Sequence, residues 1–174
     1  MPFYEDVTDF KNGQRNGWEN GPDLPDGTIE LEKGNYFWRG NLEVSSQAWP
    51  MIQPSLMKTF DLSVEERNKY YDIIFHYRIQ ERQAGEAGEI TIAMCPGNVH
   101  FEEIVAWIDN ETEINQWIKV VVKPARWFGP SPVLWIGTLG SRPDDRHRKI
   151  DIDNITIRNV HHRSIEFLRL ISLR

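Results

Sequence analysis

The chain carries a single cysteine, Cys95. That excludes an intrachain disulfide framework and a cysteine-built zinc cluster. No apolar run reaches the roughly 18 residues that a membrane-spanning helix needs, so membrane insertion is not expected. Basic charge is scarce: the net charge is −6 and the pI about 5.4. A phosphate backbone is met by a basic face, so nucleic acid is not an expected partner. Arg142, Arg146, Arg148 and Lys149 form the densest basic run, but Asp144, Asp145 and Asp151 interrupt it. That mixture reads as a solvated loop. The P-loop, GxGxxG, GxSxG and HExxH patterns are all missing. The opening "MPFYEDVTDF" has no basic segment followed by an apolar one, so it reads as having no signal peptide.

What is present is ordinary in bulk and specific in pattern. The chain has 174 residues, 40% apolar and 26% charged, which fits one globular domain with a real core. Short strand-like segments recur: "TIELE" (28–32), "NYFWRGNLEV" (35–44), "SLMKTFDLS", "YYDIIFHYRIQ" (70–80), "GEITIAM", "VHFEEIVAWI", "QWIKVVVK" (116–123), "PVLWIGTL" and "RKIDIDNITIRNV" (148–160). Turn residues separate them, among them Lys33-Gly34, Pro96-Gly97-Asn98 and Asp109-Asn110. Pro50 and Pro54 exclude their segment from a central strand. Eight to ten such strands predict an all-β sandwich or barrel. Only "SVEERNKYY" suggests a helix, one turn capped by Ser63 with Glu66 three residues on. Residues 1–160 read as the β domain and 161–174 as an extension, an edge strand or short helix. That tail would pair at a sheet edge or with a second copy of the chain, making a homo-oligomer.

Catalytic patterns are weak. His161 and His162 would point to opposite faces of a strand. His100 with Glu102, and His76 with Arg78, have the spacing for acid–base work, but such pairs are more often polar residues on a wetted sheet face. Carboxylates are plentiful, and no glycosidase-like pair stands out. Seven tryptophans lie along the whole chain. Most should pack; one to three could form stacking platforms for a ring-shaped ligand. Asp153 poses a separate question. It shares strand parity with Ile155 and Ile157, so simple alternation aims a carboxylate at the core.

Two segments carry a family resemblance. "DFKNGQRNGW" (9–18) near the start and "IDIDNITI" (150–157) near the end together resemble the galactose-binding-like jelly-roll domains common among carbohydrate-binding modules. "LMKTFDLSVEERNKYYDIIFHYRI" and "QWIKVVVKPARW" are similar to the family's middle strands. The resemblance covers residues 3–160 and implies a jelly-roll β-sandwich of two antiparallel sheets. It implies a non-catalytic, lectin-like module that targets a larger secreted protein or assembly to a glycan, polysaccharide or cell surface. It also implies a structural calcium ion at Asp153, with Asp9, Asn12 and Glu32 as further oxygen donors. Lys11 departs from the family's usual Glu and removes one of them. If no ion binds, Asp153 would accept hydrogen bonds from backbone N–H groups or an arginine, tying the chain's start to its end. For the glycan, the sheet face opposite the core supplies Arg39, Asn41, Tyr70, His76 and Arg78, and a loop supplies Trp127. A structural domain making protein–protein contacts is the alternative reading, and a glycan-active enzyme the third.

Overall fold

A computed structural model describes residues 4–22, 26–44, 52–97, 103–126, 131–139 and 146–160. Eleven strands lie within them: β1 (Glu5–Thr8), β2 (Trp18–Asn20), β3 (Thr28–Glu32), β4 (Asn35–Val44), β5 (Ile52–Thr59), β6 (Tyr70–Ile79), β7 (Ile90–Pro96), β8 (Glu103–Ile108), β9 (Ile118–Arg126), β10 (Val133–Leu139) and β11 (Arg146–Asn159). They form two antiparallel sheets. One runs β3-β4-β11-β6-β9, with β1 also on β11; the other runs β2-β5-β10-β7-β8. This is the expected jelly-roll-type sandwich. No described helix is long and apolar enough to cross a membrane.

Local chemistry accounts for most elements. Lys33 and Gly34 both take positive φ (52° and 83°), the two-residue turn that suits the twist of the β3–β4 hairpin. Ser63 and Glu66 close a capping box around α1 (Val64–Arg67). On β6, Tyr71, Ile73, Phe75, Tyr77 and Ile79 all face the core, as their alternation predicts. They pack against Ile150, Ile152, Leu56, Leu134 and Met94 from both sheets. Trp38 is wedged between Gly27 and Gly40; a Cβ on either would meet its indole within 2.4 Å. Its N–H donates to Asn20 Oδ1 at 2.9 Å.

Four expectations need correction. Pro54 does lie in an inner strand, β5, between β2 and β10. It is tolerated because β2 pairs only Leu56–Lys58 and because the β5–β10 register shifts at Gly137, opposite Pro54. Of the supposed solvated loop, Arg142, Asp144 and Asp145 lie outside the described residues, and the rest, from Arg146 on, is strand β11, where Arg148 is 3% exposed and Asp151 is fully buried. Arg148 donates to the carbonyls of Ala87 and Gln80, closing one end of the sandwich. Asp153 does not face the core. A bulge at Asn154 (φ 50°) shifts the β11–β6 register between Asp153 and Thr156. Ile150 and Ile152 face inward before it and Ile155 and Ile157 after it, so Asp153 stays on the face of Asp151. Finally, the chain's start and end are tied by a ladder, with Glu5 to Thr8 opposite Arg158 to Ile155. Lys58 Nζ, 2.7 Å from Asp6 Oδ2, and the Trp18 N–H on Thr8 Oγ1 then fasten that corner to the other sheet.

Candidate functional site

The face of the six-stranded sheet that points away from the core is built around Asp151. Register sets Arg39 on β4 and Arg78 on β6 directly opposite it, one on each side. Arg39 Nε donates to Asp151 Oδ1 at 2.7 Å and its Nη2 to Oδ2 at 3.0 Å. Arg78 Nε reaches Oδ2 at 2.9 Å, and Gln80 Nε2 reaches it at 2.6 Å. Glu32, on β3, takes the remaining side of Arg78. That hydrogen bond and the charge of Arg78 hold the Glu32 carboxyl below its ordinary value. Two cations and two carboxylates thus neutralise each other in one layer.

An aromatic pair covers this layer. The Arg78 guanidinium lies 4.9 Å from the Phe37 ring centre and 4.8 Å from that of Trp117. Arg39 sits 5.1 Å from the Phe37 ring. Phe37 and Trp117 meet edge to face, with ring centres 5.6 Å apart. Phe37 is buried under these groups, whereas Trp117 is only half-buried and Arg39 keeps 30% of its side chain exposed. The result is an indole backed by a fixed cation, beside an arginine that reaches solvent. Cation–π contact and ion pairing both restrict the rotamers of these groups, so the platform is pre-organised.

The structure brings four of the six expected ligand-binding residues together. Arg39, Asn41, His76 and Arg78 share this face. Tyr70 does not join them: it opens β6 opposite Arg126, eight residues and about 26 Å along the strand from Arg78. Trp127 lies outside the described residues. Phe37, Trp117, Asp151 and Gln80 were missed. Phe37 carried a signal, since it is an aromatic on the polar parity of β4 with Arg39 and Asn41. His100 and Glu102, weighed as an acid–base pair, also lie outside the described residues.

Of the expected calcium ligands, Asp9 follows Thr8, which is opposite Ile155, and its charge acts on Asp153. Glu32 is engaged by Arg78, and among the described residues no three His, Cys, Asp or Glu side chains gather as a metal site requires. Asp153 accepts hydrogen bonds from one backbone N–H and two asparagine side chains. Its Oδ1 accepts from the Asn154 backbone N–H at 2.6 Å, and Oδ2 accepts from Asn35 Nδ2 at 2.9 Å and Asn154 Nδ2 at 3.0 Å. No arginine takes part.

Burial pushes the Asp153 carboxyl above its ordinary 3.8, and the Asn35 and Asn154 bonds offset part of that rise. Below pH 3.8 both folded and unfolded chains hold this proton. As pH rises through the folded value, the unfolded chain has already released its proton, so stability falls and then levels. Asp153→Asn removes that step. Melting temperatures from pH 3 to 7 should show the difference moving in the variant's favour across this window and flat above it. A constant difference throughout would remove the burial penalty from the account.

Comparison with known proteins bears on the fold. No protein-family model matches the chain, and no curated protein matches it in sequence. Solved structures do match. The C-terminal family 22 carbohydrate-binding module of Clostridium thermocellum Xyn10B superposes with a TM-score of 0.56 at 15% identity, covering 92% of this chain and 95% of that one. The CBM22-1 xylan-binding domain of Paenibacillus barcinonensis Xyn10C gives 0.52 at 12% identity, covering 89% and 93%. TmCBM27, a carbohydrate-binding module with specific mannan recognition, gives 0.55 at 16% identity, covering 92% and 100%. At these identities the likeness establishes the β-sandwich of carbohydrate-binding modules as the fold of this chain.

Proposed function

We propose that this protein is a non-catalytic carbohydrate-binding module that takes a polysaccharide chain on the outer face of its six-stranded sheet. The observation that carries the reading is Trp117, half-buried and backed by Arg78, beside the solvent-reaching Arg39. A pyranose ring stacks its C–H face on such an indole, and adjacent hydroxyls pair with a planar fork such as guanidinium or an amide. Arg39, Asn41 and Gln80 supply forks within the same layer. Xylan and mannan recognition by proteins of the same fold supports the ligand class. Binding without turnover fits Asp151: its oxygens accept from two arginines and an amide, which leaves it poorly placed as an acid or nucleophile. Such a module works where polysaccharide is, outside the cell or on its surface.

Affinity electrophoresis of the protein in gels containing xylan, mannan or soluble cellulose tests the proposal. Migration should be retarded in at least one polysaccharide and restored by competing oligosaccharide. Unchanged mobility in all three, together with a blank glycan array, would overturn it.

A further inference from the structure

We propose that Asn12 is a modification site, where the side-chain amide is lost through a cyclic imide closed by the Gly13 nitrogen, while two identical pairs close by are shielded. The inference does not rest on the glycan reading. Asn12-Gly13, Asn16-Gly17 and Asn20-Gly21 follow one another at a spacing of four. The reaction needs water as its one co-reactant. The Gly13 nitrogen gives up its proton and bonds Asn12 Cγ. The Cγ–Nδ2 bond breaks, and ammonia leaves with that proton. Water then opens the imide at either carbonyl. The product is aspartate or isoaspartate, one more negative charge on a chain of net −6. A following glycine permits the closure, because it has no Cβ to crowd the attack and its backbone turns freely.

The three pairs share a sequence and differ in what holds them. Asn16 Nδ2, the atom that must leave, donates to Thr8 Oγ1 at 2.9 Å, to the Val7 carbonyl at 3.1 Å and to Asp6 Oδ1 at 3.5 Å. Asn20 is held at both ends of its amide. Its Oδ1 accepts from Arg15 Nη1 at 2.7 Å and Trp38 Nε1 at 2.9 Å, and its Nδ2 donates to the Gly27 carbonyl at 2.8 Å. The attacking atom of that pair is occupied too. The Gly21 N–H donates to the Ser55 carbonyl at 2.9 Å, and a Cβ on Gly21 would strike the Pro54 carbonyl oxygen.

Asn12 has no such restraint. It is exposed in the turn Lys11–Gly13, and its side chain has no hydrogen-bond partner. A Cβ on Gly13 would meet nothing within 4 Å, so water and base reach the amide nitrogen. One bond opposes the attack: the Gly13 N–H donates to the Phe10 carbonyl at 3.1 Å. That bond closes a single exposed turn, which opens at little cost, whereas Gly21 is pinned to an inner strand.

Peptide mapping by mass spectrometry tests this on the full chain, folded and urea-unfolded, incubated in mildly alkaline buffer. In the folded protein residue 12 should turn to acid at least about tenfold faster than residues 16 and 20, since each of those must first give up two or more hydrogen bonds. In urea the three should convert at comparable rates, which assigns the difference to the fold. Asn12→Gln should abolish the early acidic product and leave the two slow sites as they were. Equal rates at the three sites of the folded protein, or conversion at Asn16 or Asn20 ahead of Asn12, overturns the proposal. An Asn12 that stays intact in the folded protein while the unfolded chain converts overturns it equally.

Discussion

Asp151→Ala is expected to lower the stability of the protein by about 3–5 kcal/mol, the usual cost of breaking a buried ion pair from one side. The carboxylate is fully buried and holds two guanidinium groups and the Gln80 amide. The two cations fare differently when it goes. Arg39, with 30% of its side chain exposed, can turn to water; Arg78, with 10%, cannot. Arg78 would remain between Phe37 and Trp117 with Glu32 as its one anionic neighbour. Urea unfolding should show the midpoint falling with the slope unchanged. Asp151→Ala combined with Arg78→Met should cost less than the sum of the two single changes, since the second removes the cation that the first strands. A loss under about 1 kcal/mol would mean that this layer is solvated and slack.

The cluster also marks the limit of what single-strand reading could reach. Alternation placed Tyr71, Ile73, Phe75, Tyr77 and Ile79 in the core, because a strand's period of two is local. Asp151 was hidden by the same locality. Beside Arg148 and Lys149 it looks like part of a charged, wet segment, and only the pairing of β11 with β4 and β6 turns it into the hub of two arginines. Asp153 was misread because parity counting assumes an unbroken strand. The bulge at Asn154 reverses parity midway, and the only trace in the sequence is an asparagine, a residue that tolerates positive φ. β1 and β2, four and three residues long, are too short for periodicity to register. Trp117 lies just before β9, and alternation over 116–123 groups it with the exposed Lys119 and Val121; what the sequence hid is that its neighbours Phe37 and Arg78 come from positions far away.

Trp117→Ala is expected to weaken polysaccharide binding at least about tenfold, equivalent to about 1.4 kcal/mol, while leaving the fold in place. Aromatic anchors in pre-organised surroundings carry most of the energy at binding surfaces, and Trp117 is the aromatic packed on Arg78 that still meets solvent among the described residues. The fold should survive because Phe37, which is buried, keeps its contacts with Arg39 and Arg78. Trp117→Phe should keep part of the affinity, since a smaller flat ring still stacks over the guanidinium. Trp107 provides the contrast. It is 69% exposed on β8, in the opposite sheet, and has no cation behind it among the described contacts. If exposure alone made a platform, Trp107→Ala would be the more damaging change; if backing and pre-organisation do, Trp117→Ala will be. Retardation in the polysaccharide gel should therefore collapse for the residue 117 change and persist for the residue 107 change. The reverse order would move the binding surface to the other sheet and leave the Asp151 layer a purely structural one.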